Sequence, residues 1–212
     1  MKPRIQVLLI VSLAALNLAA ASRCKPAAKP DIQRLTFSGV TNSFTRVGHT
    51  YDSIPNAPVD APFSGYLDFD ASTKDSDSSS STGVYNDAIK ALHLTIDGHD
   101  FDLDMPAGEA NLFSTNNDAD GGNYKRDLLQ PFLTDATLKG ATGSAARKWQ
   151  SQLNMLSTQL ETLDSDALPK ALPSLGKFDI DRNINLVATQ PDNSDAWNWE
   201  GTITEAAIAP AP

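Results

Sequence analysis

The residues best spaced to do chemistry lie in Asn116-Asn117-Asp118-Ala119-Asp120-Gly121. Asn116, Asp118 and Asp120 offer side-chain oxygens at alternate positions, Gly121 supplies a sixth-position bend, and Asp127 falls at position twelve. That is the ligand spacing of a calcium loop, since a hard cation wants several oxygens gathered around a tight turn. Asp stands where a longer bidentate Glu is usual, and Asn123 occupies the eighth position, where an apolar residue is usual. The plainer alternative is a polar hairpin loop. Calcium is the only cofactor the residues suggest. A second group is His93 with Asp100, Asp102 and Asp104, which share one parity of neighbouring strands and read as a solvated polar face before they read as a metal site. A third is Trp197 with Trp199, two rings on one parity of a strand, a candidate sugar-stacking pair if exposed and core if not. No nucleophile elbow, HExxH or phosphate-cradling glycine loop is present, and nothing selects two of the many carboxylates for glycoside cleavage.

The elements that must position these groups are strands. Leu92, Leu94 and Ile96 alternate with His93 and Thr95, and Phe101, Leu103 and Met105 alternate with Asp100, Asp102 and Asp104. Asp97-Gly98 between them suits a two-residue turn in which both residues take positive φ. With that turn, Leu94 faces Phe101 and Leu92 faces Leu103, whereas a slip by one residue sets Asp100 against Ile96. Period-two runs also predict strands at Arg34 to Phe44, Phe63 to Asp70, Val84 to Ile89, Asp127 to Thr134, Phe178 to Val187 and Trp197 to Ile203. Ala71 to Thr82 is rich in Ser and Asp and reads as a mobile loop. Trp149, Leu153, Leu156, Leu160 and Leu163 fall at helical spacing, although Trp149, Leu153 and Met155 also fit one face of a strand; the pattern favours a helix. Many short strands separated by turn signals predict an all-β sandwich or barrel, and of the two an antiparallel β-sandwich of jelly-roll type with long polar loops is the expectation.

Lys2 and Arg4 precede an apolar run, Ile5 to Leu18, that ends in Ala19-Ala20-Ala21, the pattern of a secretory signal peptide. The run of roughly 14 residues is short of the about 20 that a spanning helix needs. The expected organisation is a signal peptide at 1–21, a linker at 22–34, the β domain at 35–205 and a disordered tail at 206–212. Cys24 is the only cysteine, so no intrachain disulfide forms, and Arg23 before it argues against lipidation. The 212-residue chain carries 26 acidic and 17 basic residues, a net charge of −9, which excludes the electrostatic footprint of a nucleic-acid binder and a polybasic lipid patch.

Phe37-Ser38-Gly39, Phe63 to Asp70, Gly83 to Ile89 leading into the hairpin, Ser165 to Pro169 and Gly201 to Thr204 together resemble the secreted β-sandwich domains of bacterial PEP-CTERM-associated proteins. The likeness runs from about Leu35 to Thr204. It implies export and a surface or matrix role, carries over no catalytic residue, and counts against a helix at Trp149 to Leu163. The expectation is therefore an exported extracellular, cell-surface or periplasmic module without catalysis. Its role would be structural, adhesive or in a matrix, with polysaccharide or cell-surface proteins as partners. The alternative is a secreted hydrolase or lyase acting on polysaccharide.

Overall fold

The computed structural model describes residues 29–49, 54–79, 81–105, 111–120, 125–139, 148–159, 162–189 and 195–212. Residues 1–28, which carry the signal-peptide and Cys24 expectations, lie outside them. Ten strands follow in chain order: β1 (Ile32–Val47), β2 (Pro62–Asp70), β3 (Thr82–Asn86), β4 (Ile89–Ile96), β5 (His99–Asp104), β6 (Asn111–Asp120), β7 (Lys125–Leu138), β8 (Lys148–Ser157), β9 (Asp181–Thr189) and β10 (Ala196–Pro210). The central hairpin has the expected register, with Leu92 opposite Leu103, Leu94 opposite Phe101 and Ile96 opposite His99. Asp97 and Gly98 take φ of 50° and 79° in its turn.

The sheet closes on itself, and this corrects the sandwich. Going round, the order is β1-β2-β4-β5-β7-β8-β9-β10 and back to β1, every pair antiparallel. This is an eight-stranded up-and-down β-barrel. β3 and β6 leave the ring and pair with each other, and β6 also pairs with β7. The closing strand is β8, which pairs with β7 on one edge and β9 on the other. It lies where the sequence pattern favours a helix. Trp149, Ser151, Leu153 and Met155 point inward at strand spacing, and the buried Ser151 hydroxyl is satisfied by the Asn185 carbonyl at 2.7 Å. A sandwich leaves unpaired edges on both sheets; closure removes the edges of the ring and satisfies their backbone groups.

Eight strands leave an interior just wide enough for side chains to fill. Here Trp149, Trp197, Trp199, Phe63 and Phe101 fill it, with Trp197 5.2 Å from Trp149 and 5.4 Å from Phe101, and Trp199 edge-on to Phe63 at 5.0 Å. Room for the rings comes from missing side chains. A Cβ on Gly201 would lie 2.5 Å from the Phe63 ring, and one on Gly39 would lie 1.9 Å from the Thr202 carbonyl oxygen. Along β2, β4 and β5 the large apolar residues point in and polar ones out. No helix among the described residues is long and apolar enough to cross a membrane.

Three segments differ from expectation at their ends or edges. β1 begins at Ile32, inside the expected linker, and β10 runs to Pro210, through most of the expected disordered tail, because Gln33 to Phe37 pairs with Ala206 to Pro210. The Ser/Asp-rich loop is tied down near Asp75: its carboxylate accepts the Val84 amide at 2.9 Å, and the Ser76 amide donates to the Val84 carbonyl at 2.9 Å. This covers the outer edge of β3. Beyond β8, the stretch up to Ile180 packs Leu163, Leu168 and Phe178 into the core.

Titration sets both ends of the stability range. The Lys170 ammonium and Gln33 amide hold Asp31 below the ordinary carboxylate value of 3.8, and the Thr158 hydroxyl and amide do the same for Asp179. For Asp70, burial opposes ionisation, but the Ser72 hydroxyl and amide and the Asp31 amide outweigh it and lower the pKa. Burial raises the Tyr85 phenol above its ordinary 10.0. On acidification the unfolded chain takes up protons before these carboxyls do, so stability present above about pH 4 is lost as pH falls through the lower folded values. On the alkaline side the unfolded Tyr85 ionises first, so stability falls as pH rises above about 10. Thermal melts across pH should show a plateau between these limits, with an acid limb that Asp70→Asn makes shallower. An unchanged acid limb in Asp70→Asn would remove Asp70 from the account.

Candidate functional site on the outer wall

Aromatic rings occupy the barrel interior among the described residues, and open space lies on the outer wall. The outer wall of β10, β1, β2 and β4 carries a groove of about 560 Å³ lined by Thr36, Ser38, Ser64, Tyr66, His93, Thr95 and Glu205, among others. Strand parity produces it. Leu35, Phe37, Phe63, Leu67 and Leu94 point inward, which sends Thr36, Ser38, Ser64, Tyr66 and His93 outward. The register then sets them side by side, Thr36 opposite Tyr66, Ser38 opposite both Ser64 and Glu205, and Tyr66 opposite His93.

One wall of the groove is a stack of flat groups. The Arg34 guanidinium lies 3.8 Å from the Tyr66 ring centre, and the His93 ring lies almost parallel to Tyr66 at 5.2 Å. Asp68 fixes Arg34 with two hydrogen bonds, of 2.6 and 2.7 Å, and raises its pKa. Asp102 Oδ1 stands 2.7 Å from His93 Nδ1; a carboxylate only accepts, so Nδ1 donates. Thr95 Oγ1 lies 3.2 Å from His93 Nε2 and donates to Asp100 at 2.7 Å. The floor is small and hydroxyl-bearing, and on the far side Ser38 donates to Glu205 at 3.2 Å.

The Asp102–His93–Thr95 line has the outline of a nucleophilic triad without its working parts. The Thr95 proton goes to Asp100 rather than to the imidazole. An oxyanion hole needs N–H groups aimed at the developing charge. The amides of β1, β2 and β4 along this wall sit in ladders with strands on both sides. The arrangement orders polar groups and can hold a ligand by hydrogen bonds.

The residues singled out in the sequence fall elsewhere. Trp197 and Trp199 are both 0% exposed, so they are core and not a stacking surface. The Trp199 indole donates to the buried Thr41 hydroxyl at 3.0 Å. Of the calcium-loop residues, only Asp127 has a described side chain. Asn116, Asp118 and Asp120 lie on the backbone of β6, which continues as a hairpin with β7 in which Ala119 faces Arg126 and Asp120 faces Lys125. Their side chains, and 121–124, lie outside the described residues. Asp127 is 0% exposed and its Oδ2 accepts the Leu163 amide at 2.8 Å, so it anchors the chain beyond β8. Of the His93 group, Asp102 and Asp100 approach the imidazole, and no cluster among the described residues is set to hold a metal. Arg34, Ser38, Ser64, Tyr66 and Glu205 went unmarked in the sequence; outward parity is visible there, but which strands are neighbours is not.

Comparison with protein-family models, with curated proteins and with solved structures yields no match.

Proposed function

We propose that this chain is an exported, non-catalytic binding module that holds a neutral polysaccharide in the groove on the outer wall of its barrel. The observation that carries the reading is the groove itself: a floor of Thr36, Ser38 and Ser64, one carboxylate at Glu205, and a fixed wall of Tyr66, His93 and Thr95. Hydroxyls both donate and accept, and a carboxylate accepts from paired hydroxyls, so the lining matches a polyhydroxylated partner. The volume suits a few sugar rings, and the open sides let a longer chain pass through. A filled interior removes the other common ligand site of small barrels. Export rests on the N-terminal pattern of Lys2 to Ala21, and a surface or matrix role on the sequence resemblance. The hydrolase alternative gains nothing from the His93 group, for the geometric reasons given above.

Native gels cast with hydroxyethyl cellulose, dextran, galactomannan or soluble starch test the reading. The wild-type chain should be retarded by at least one polymer. Ser64→Trp places a large ring in the groove from an exposed position, so it should change stability by no more than about 0.5 kcal/mol while weakening retardation about tenfold. A wild-type chain that runs unretarded in all four gels would refute the proposal.

A further inference from the structure

A second face of the barrel carries a row of side-chain amides, flanked by Leu128, Phe132, Leu156 and Val187. Gln130 on β7, Gln152 and Asn154 on β8, and Asn183 and Asn185 on β9 are half-buried and outward. Asn154 Oδ1 accepts from Gln130 Nε2 at 2.6 Å and from Gln152 Nε2 at 2.9 Å, and Asn154 Nδ2 donates to Asn183 Oδ1 at 2.9 Å. Asn183 reaches on to Glu200 of β10 at 3.4 Å, and Asn185 Oδ1 accepts the Gln152 backbone N–H at 2.9 Å. The belt thus crosses four strands as one hydrogen-bonded array.

We infer that this amide belt is a second saccharide-binding face, so that one chain engages polysaccharide on two sides. The inference rests on the saccharide reading of the groove. Each amide has two N–H donors and two acceptor lone pairs, and the bonds above use only part of that capacity. The network holds the side chains in fixed places, so little rotamer freedom remains to be lost on binding. Five neutral amides stand together on a chain of net charge −9. Amides beside the single carboxylate of Glu200 fit an uncharged polyhydroxyl chain, whose hydroxyls both donate and accept. Belt and groove share β10, but their centres are three strands apart on a ring of eight, so they face different ways. Two faces on a rigid barrel make the second contact with one polymer an intramolecular step, or tie two polymers together.

The same four gels separate the two faces, using the wild-type chain, Ser64→Trp, the double variant Asn154→Leu/Asn183→Leu, and all three substitutions combined. Near-unchanged thermal melts and tryptophan emission certify each barrel, and Gln152→Lys, which sets a charge on a half-exposed position in the middle of the belt, stands in if the double variant does not fold. In the polymer that retards the wild type, each single-face variant should keep reduced retardation, and the combined variant should lose it. If Ser64→Trp alone abolishes retardation, or if the folded belt variant matches the wild type, the belt binds nothing and the inference falls while the groove stands. If the belt variant alone abolishes retardation, the belt is the binding face and the groove reading falls. An unretarded wild type overturns both.

Discussion

Trp199→Ala will unfold this barrel more readily than any substitution on its wall. The indole is fully buried, packs edge-on against Phe63 at 5.0 Å and donates to Thr41. Truncation opens a cavity among rings that Gly39 and Gly201 make room for, and strand closure prevents the wall from collapsing into it. Buried Trp→Ala changes cost about 3–5 kcal/mol. For a domain of this size that lowers the melting temperature by about 6–20 °C. Trp199→Phe should recover much of the loss, but the Thr41 hydroxyl then lacks its donor. Differential scanning calorimetry measures both. If Trp199→Ala melts with the wild type and instead loses polysaccharide binding, the ring is a surface platform after all.

Asp127→Ala distinguishes an anchor from a metal ligand. In the fold the carboxylate is buried and accepts the Leu163 amide, so its loss leaves a backbone donor unpaired beneath the chain that follows β8. Leu163 enters the core beside this bond, and Ser157 holds the same segment through the Lys177 carbonyl at 2.5 Å and the Thr162 hydroxyl at 3.0 Å. A hydrogen bond to a carboxylate contributes about 1.5–3 kcal/mol, or about 3–12 °C in melting temperature. The drop should be equal in millimolar calcium and in chelator. A wild-type protein that calcium stabilises, with Asp127→Ala abolishing the gain at little cost to the apo form, would make Asp127 a calcium ligand and not an anchor.

The hairpin shows where sequence reasoning holds. Asp97-Gly98 fixes the turn through its positive φ angles, and the turn fixes the register of Leu92 to Ile96 against His99 to Leu103. Both signals are local, and they agree. The stretch from Trp149 shows where it fails. Residues four apart lie on one face of a helix and also on one face of a strand, so Trp149 and Leu153 satisfy both patterns. Leu156 tips the count toward a helix, yet in β8 it points outward and Met155 fills the core. The misread element is the one that joins β7 to β9, and without it the remaining strands have no means of closing. The sandwich has a separate source: turn-punctuated strands suit a sandwich and a barrel alike, and neither they nor the sequence resemblance records which edges pair.

By itself, the sequence determined the all-β class, the central hairpin and the polarity of the cleanly alternating strands β2, β4 and β5, because alternation and turn chemistry are properties of neighbouring residues. It thereby set Ser64, Tyr66, His93 and Thr95 of the groove outward. Only the tertiary structure decided that Tyr66 stands between Arg34 and His93, that Gln130 meets Asn154, and that Trp197 and Trp199 face inward to a filled core. Those contacts join residues far apart in the chain, and they exist only once the ladders of β1 with β10 and of β7 with β8 have closed the ring. Strand order is a long-range choice, made by which edges pair and which rings fit together inside, and no local spacing records it.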